Sequence, residues 1–368
     1  MIPEKLSTTM LRDADISLFN TVTGSKDPGA EALMQKVDLP IPEAWSLLFR
    51  EIAACPGCVF MLGASDTGKS TLARFLCSQS IEAGFRTAFL DADPGQSIIG
   101  PPTTLGMLLP SAPPQTTERL GWDYLYFIGA TSPANHLPAT AAGVVKLMRK
   151  AEEQGARMVV VDTTGLVTGA TGFELKFHKI ELLHPQHIVA IQRAGEVEHI
   201  LTAVQAGKGI KIHRLSPLRE VNIRSPETRQ AYRQQRFQEY FQGCACRRIS
   251  LDAVAFILPE PFLAAVEGQY EGLQGHVLGL NDADCFTRGL GIWAGFDQQR
   301  NPEPKPKPKV ALWPVALWPV ALWPVALWPV TPWSEPPSGS EVMVRTPLKD
   351  LSDIRYLLLG ETTFTVIE

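Results

Sequence analysis

Two spacings of apolar residues divide the chain. Largely apolar runs at Cys58–Leu62, Arg86–Leu90, Tyr124–Ile128 and Met158–Val161, and again over 187–192 and 210–215, have the length of strands buried on both faces. Between them the apolar positions recur at helical spacing. Pro42 to Ala54 brings Trp45, Leu48, Phe49 and Ile52 onto one face, and Thr71 to Ala83 carries Leu72, Phe75, Leu76 and Ile81 before Gly84. Further helices are predicted over about 138–153, 173–183 and 196–206. Strand and helix therefore alternate, which implies an α/β fold with a parallel sheet and helices on both faces. From residue 247 onward the pattern changes to short strands and Gly-rich turns, a smaller β-rich carboxyl-terminal domain.

Composition narrows the class. At 368 residues and 45% hydrophobic content the chain can bury one substantial core and a smaller second one. Met1 to Asp15 carries charges and no apolar core of signal-peptide type, and no uninterrupted span suits a membrane helix. A cytoplasmic protein is expected, with no membrane contact and its six cysteines reduced. Cys55-x-x-Cys58 and Cys244-x-Cys246 have the look of half-sites for zinc, but Cys58 opens a buried strand and the pairs lie far apart.

The chemistry begins where the first strand ends. Gly63-Ala64-Ser65-Asp66-Thr67-Gly68-Lys69-Ser70, followed by Thr71, is a complete phosphate-binding loop with a strand before it and a helix after it. Glycines let the backbone N–H groups turn toward a β-phosphate, Lys69 reaches β/γ oxygens, and the Ser70 hydroxyl suits Mg²⁺. A nucleoside triphosphate is the expected ligand, ATP with Mg²⁺ in the first instance. The next strand runs into Asp91-Ala92-Asp93-Pro94-Gly95-Gln96. Carboxylates two residues apart on extended chain point the same way, here off the carboxyl end of a strand, where open parallel sheets place ligands. Asp91 reads equally as a turn residue or as part of the chemistry. A third acidic tip, Asp162 in Met158-Val159-Val160-Val161-Asp162-Thr163-Thr164-Gly165, suits the shell of the metal ion.

These residues resemble the polynucleotide 5′-hydroxyl kinases that act in RNA processing. Asp93-Pro94-Gly95-Gln96 is similar to the family signature after the phosphate loop. Thr131-Ser132-Pro133 resembles the "clasp" that grips the RNA end, and Thr163-Thr164-Gly165-Leu166-Val167-Thr168-Gly169 resembles a loop that many members write with Asn first and Trp in the middle. Arg224-Ser225 through Arg229 to Glu239-Tyr240-Phe241-Gln242-Gly243 resembles the arginine-bearing "lid" and the ending behind it. Leu166 stands where relatives stack a Trp on the substrate base, and Asp162 where eukaryotic members commonly carry Asn. The Val277–Asp284 stretch and Arg345-Thr346-Pro347-Leu348 are similar to prokaryotic members.

The resemblance implies three regions: an amino-terminal extension over 1–40, a phosphate-loop kinase domain over 41–243 and a β-rich domain over 244–368. It implies transfer of the ATP γ-phosphate to the 5′-hydroxyl end of RNA, or of DNA. Lys69, Asp93, Arg224 and Arg229 would be catalytic, Ser70 and Asp162 would hold the metal, and Gln96, Thr131, Ser132, Pro133 and Leu166 would hold the substrate.

Charge agrees in its distribution. The chain is −4 overall, yet residues 205–248 hold ten basic residues against three acidic ones. Ser225-Pro226 starts a helix well, and Arg229, Arg233 and Arg236 then share one face. Such a stripe is ordinarily a solvated surface, but beside a nucleotide an Arg is worth about 10³–10⁵ in rate. Two other readings compete. A GTPase or ATPase of the same superfamily would also show the phosphate loop and an Asp-x-x-Gly, as at Asp162 to Gly165, but no Asn-Lys-x-Asp guanine reader follows Ile191-Gln192. A catalytically silent ATP-binding scaffold is the other.

An insertion at about 301–340 interrupts the β-rich region; it alternates Pro with Lys and then repeats Val-Ala-Leu-Trp-Pro four times from Val310 to Pro329. Proline every fifth residue forbids a helix at about 3 kcal/mol each, and the odd period flips strand parity at every repeat. The segment is expected to be a dispensable loop. Deleting residues 303–336 should leave folding and phosphoryl transfer intact; a folded but inactive deletion protein would refute dispensability.

Overall fold

The structure, a computed structural model, describes residues 41–110, 121–205, 209–218, 224–259, 270–296 and 340–366. The amino-terminal extension and the Val-Ala-Leu-Trp-Pro repeats lie outside the described residues. The first half contains α1 (Glu43–Ala53), β1 (Cys58–Leu62), α2 (Lys69–Glu82), β2 (Thr87–Ala92), β3 (Thr104–Leu108) and β4 (Tyr124–Phe127). It continues with α3 (Leu137–Glu153), β5 (Met158–Thr163), α4 (Gly169–Leu183), β6 (His187–Ile191), α5 (Glu198–Val204), β7 (Lys211–Leu215) and α6 (Pro226–Phe241).

Seven of these strands form one sheet in the order β4-β3-β2-β5-β1-β6-β7. Its strands alternate their side chains between two apolar layers, which is why the runs read as continuous. Phe60, Leu62, Leu90 and Val161 pack with α3, α4 and α5, while Val59, Met61, Phe89 and Val160 pack with α1 and α2. Helices therefore cover both faces.

The sheet is mixed, not wholly parallel. β2 pairs antiparallel with β3, and β3 antiparallel with β4. A parallel crossover needs a dozen or more residues, ordinarily including a helix, and no helix lies between β2 and β3. β3 itself is hidden in sequence behind Pro101-Pro102 and interrupted by Gly106. α4 starts at Gly169 instead of 173, because its first turn is built of small residues that carry no periodic signal.

A second sheet of six strands follows: β8 (Ala245–Ser250), β9 (Ala255–Ile257), β10 (His276–Asn281), β11 (Thr287–Phe296), β12 (Glu341–Thr346) and β13 (Tyr356–Thr363), in the order β8-β12-β11-β10-β13-β9. The interrupting segment joins β11 to β12, which are antiparallel neighbours with Phe296 opposite Val342. It therefore leaves and re-enters the sheet at adjacent points. Cys58 sits inside β1 of the first sheet and Cys246 on β8 of the second. Among the described residues no group of three or more His, Cys, Asp or Glu could hold a metal ion. No described helix is long and apolar enough to cross a membrane.

The two sheets meet where β4 ends against the second one and, more extensively, through α6. Phe237 and Phe241 of that helix pack with Phe127 of β4 and with Val277, Leu290, Ile292 and Phe364 of the second unit. Phe241 is 1% exposed. Removing so buried a ring costs about 3–5 kcal/mol. Phe241→Ala should therefore lower the unfolding free energy by that order in a denaturant titration, and a loss below about 1 kcal/mol would show that α6 does not depend on this cluster.

Candidate functional site

β1, β2 and β5 are parallel neighbours in the order β2-β5-β1, so their carboxyl ends open side by side. The phosphate loop leaves β1 and returns as α2. Within it Thr67 Oγ1 donates to Ala64 O at 3.0 Å, and Lys69 Nζ donates to the same carbonyl at 2.6 Å. The loop after β5 lies directly against it: a Cβ on Gly165 would fall 2.3 Å from Ser65 Oγ. Lys69 is buried, which pushes its ammonium pKa down; the charges of Asp162, Asp93 and Asp66, in that order, push it back up. Those three carboxylates come from three different segments.

Asp162 is 3% exposed. Burial raises its pKa, while the Ser70 hydroxyl and Lys69 act in the opposite direction. Its Oδ1 is buried with no hydrogen-bond partner. An orphaned carboxylate oxygen beside a serine hydroxyl is oxygen-only and under-satisfied, the donor chemistry that a hard divalent cation takes. The residues present fit Mg²⁺.

The two carboxylates of β2 have separate fates. Asp91 is 1% exposed and turns back into the chain. It accepts from the N–H groups of Asp93 at 3.1 Å, Ile98 at 2.7 Å and Ile99 at 3.3 Å, and from Ser97 Oγ at 2.9 Å. Burial first, then the charge of Asp162, raises its pKa to about 7. Asp91 is thus the turn residue of the two readings, a buttress for the loop after β2. Asp93 is half-buried; its Oδ1 accepts from Gly95 N at 2.9 Å and Gln96 N at 3.1 Å, an Asx turn that fixes the carboxylate at the strand end.

The clasp resemblance falls on the same spot. A Cβ on Gly95 would meet Thr131 O at 2.3 Å, so the loop carrying Thr131, Ser132 and Pro133 touches the loop carrying Asp93 and Gln96. Leu166 is half-buried on the segment that leans on the phosphate loop.

α6 approaches from the other side. Ser225 caps it, accepting from Thr228 N at 3.2 Å. Arg229 Nη2 donates to Asp66 Oδ2 at 2.6 Å, Arg224 N donates to the same oxygen at 3.2 Å, and Arg224 Nη1 donates to Gln96 Oε1 at 3.2 Å. Tyr232 OH donates to Ser97 O at 2.8 Å and Arg236 Nη2 to Gly100 O at 3.4 Å. Two of the three stripe arginines are therefore not simply solvated: Arg229 and Arg236 both reach across to loops of the first sheet. Part of the basic excess is neutralised elsewhere, since Arg214 pairs with Glu198 through Nε at 2.9 Å and Nη2 at 3.0 Å.

Sequence reasoning missed two lysines. The buried stripe of α4 is Gly172, Leu175, Lys176, Lys179, Ile180 and Leu183, so two ammonium-bearing chains occupy core positions. Lys176 Nζ donates to Thr163 Oγ1 at 2.7 Å and to Thr164 O at 2.5 Å; Lys179 Nζ donates to Ala92 O at 3.3 Å. Together they pin the ends of β5 and β2, the two strands that present Asp162 and Asp93. The signal was a lysine pair inside an apolar helical stripe. Arg193, whose Nη2 donates to Asp66 O at 2.5 Å, was also passed over.

Comparison with known proteins bears first on the fold and then on the sequence family. The class is that of phosphate-loop folds, and the solved structure of wild-type Clp1p with Pcf11p residues 454–563 shares it at a TM-score of 0.59 and 14% identity, over 87% of this chain and 78% of that one. The likeness is one of fold. Residues 63–243 match the family described as mRNA cleavage and polyadenylation factor CLP1 P-loop. A polyribonucleotide 5′-hydroxyl-kinase of Methanocaldococcus jannaschii is 32% identical over 196 residues, 53% of each chain. One of Thermococcus kodakarensis is 33% identical over 218 residues, 58% of this chain and 60% of that protein. A CLP1 homolog of Arabidopsis thaliana is 27% identical over 194 residues, 50% of this chain and 44% of that one. The matched stretch spans about half the length of these relatives.

Burial lowers the Lys179 pKa to about 8 from 10.5. Between those values the unfolded chain binds more protons, so this group adds stability as pH rises and withdraws it as pH falls through about 8. Wild type should therefore gain stability relative to Lys179→Met when urea unfolding is followed from pH 8 to 9.5, by at most about 1.4 kcal/mol per pH unit. Parallel curves would mean that Lys179 does not titrate differently in the two states.

Proposed function

We propose that the chain is an ATP-dependent polynucleotide 5′-hydroxyl kinase with RNA as its favoured acceptor. The observation that carries this reading is the meeting of Asp93, Asp162 and Asp66 around Lys69, with Gln96 of the strand-end loop that carries Asp93 bridged to Arg224 just before α6. The polyribonucleotide kinases among the relatives supply the substrate class. Six free cysteines suit a reducing compartment such as the cytoplasm.

Residues 63–71 cradle the triphosphate, and Lys69 braces its β and γ oxygens. Ser70 and Asp162 would hold Mg²⁺, which when bound neutralises charge on those oxygens. Gln96, the Thr131-Ser132-Pro133 loop and Leu166 would border the path of the polynucleotide end. Asp93 accepts the proton of the terminal 5′-hydroxyl as that oxygen bonds to the γ-phosphorus. The bond from phosphorus to the β–γ bridging oxygen breaks, and its electron pair leaves with ADP. Arg224 and Arg229 stand over the charge that spreads across the transferring group. The Asx turn holds the acceptor by one oxygen, Oδ1, so Oδ2 is the atom available to take the proton. Asp91, although two residues away and of the same strand parity, is consumed by four donors and has no part in the transfer.

The test is direct. With γ-labelled ATP or GTP and 5′-hydroxyl RNA or DNA oligonucleotides, label should move to the oligonucleotide. Movement to inorganic phosphate would favour a nucleotide hydrolase, and no movement a silent scaffold. General-base assistance is worth about 10²–10⁴, so Asp93→Asn should lose that factor in turnover while ATP binding is retained. Unchanged turnover would remove Asp93 from the chemistry.

A further inference from the structure

The phosphate loop carries a carboxylate at its tip, which is a strange thing for an anion-binding loop to present. Asp66 has φ +54°, a left-handed backbone that Asp tolerates better than most residues. Turn geometry alone does not account for the acid, since Gly or Asn would serve it as well. Negative charge there also opposes an incoming triphosphate unless cations engage it. They do. The side chains of Arg229 and Asp66 are 28% and 12% exposed, and their 2.6 Å contact is a charge-assisted bond between residues 163 positions apart. The same oxygen, Oδ2, accepts the Arg224 backbone N–H, and the Asp66 carbonyl accepts from Arg193.

We propose that Asp66 is a positioning residue that seats the lid arginines over the phosphate loop, with Arg229 as its direct partner. The inference rests on the kinase reading above, in which α6 supplies the charge opposite the transferring phosphoryl group. On the side of the site, the amino-terminal half of α6 and the residues just before it stand on two supports. One is the loop after β2, through Tyr232 on Ser97 O and Arg224 on Gln96; the other is Asp66. The first support ties the helix to the acceptor side of the site. The second ties it to the loop that grips the nucleotide, so loop and lid are registered to each other through this one carboxylate. A half-buried, charge-assisted bond is strong enough to fix a guanidinium where a solvent-exposed pair would not.

A double-mutant cycle separates positioning from a structural turn. Asp66→Asn keeps the backbone preference and the hydrogen-bonding shape while removing the charge. It should lower kcat about tenfold and shift the KM for ATP less than about threefold, one guanidinium placement being lost while the loop N–H groups remain. Arg229→Gln should lose more, and Asp66→Asn added to it should lose nothing further, because residues that act as one unit are not additive. Asp66→Glu, which keeps the charge, should recover most of the loss. Losses that multiply, or an Asp66→Asn protein with full kcat, would overturn the inference. Should Asp66→Asn fail to fold, Asp66→Gly carries the same expectations with the backbone relaxed. Trypsin cleavage within α6 gives a readout free of turnover: faster cleavage in the variant is expected, and an unchanged rate overturns the latch. Wild-type protein that moves no label would sink the kinase reading alone, with the proteolysis result still deciding on Asp66.

Discussion

Asp91 of β2 and Asp162 of β5 are register partners on adjacent parallel strands, and both are buried. Two carboxylates side by side in a low dielectric repel each other and lose their hydration, and the rest of the site is arranged around relieving that. The first is satisfied from within: three backbone N–H groups and a serine hydroxyl close on Asp91, and in doing so fold the loop that follows β2. The second is left with one bare oxygen, beside Ser70 and Lys69. One strand end is thereby made rigid and the next is left able to bind. Neither outcome follows from either residue alone.

The loop that Asp91 folds does more than carry Asp93. Its backbone carbonyls at Ser97 and Gly100 receive Tyr232 and Arg236 of α6, and its Gly95 touches the Thr131 segment. α6 is in turn clamped from behind by Phe237 and Phe241 against the second sheet. The second sheet thus reaches the site through a helix. Its own contribution near the site is mechanical: β13 approaches the end of β4, where Thr362 N donates to Gly129 O at 3.1 Å.

Much of this was legible in the chain, and what was not shares one cause. The phosphate loop, the three strand-end acids and the capped start of α6 are local patterns, each read within about ten residues. The alternating layers explain why a run such as Val159, Val160 and Val161 reads as fully buried strand. The antiparallel edge was missed because direction depends on what lies between strands, and the interrupted β3 left no periodic trace. Strand parity alone does not separate Asp91 from Asp93, which the family resemblance singled out, since the donors that distinguish them belong to a loop whose fold the sequence pattern does not state. Arg229 could be placed on a face, but not on Asp66, which lies 163 residues away.

The buried lysines complete the electrostatic logic. The strand ends that carry three acids have to be held from behind as well as from above. α4 solves this by giving two core positions to Lys176 and Lys179, whose amines bind main-chain carbonyls and a threonine hydroxyl behind the acids. Burial drives both amines toward neutrality, Lys176 the further, while Asp93 draws each back toward its charged form. Burial also pushes the Asp91 and Asp162 carboxylates toward the neutral form, so much of the floor of the site is held with little net charge. Such a floor places the strand ends firmly and adds little fixed charge of its own, leaving the field above it to Lys69 and to Arg229 on Asp66.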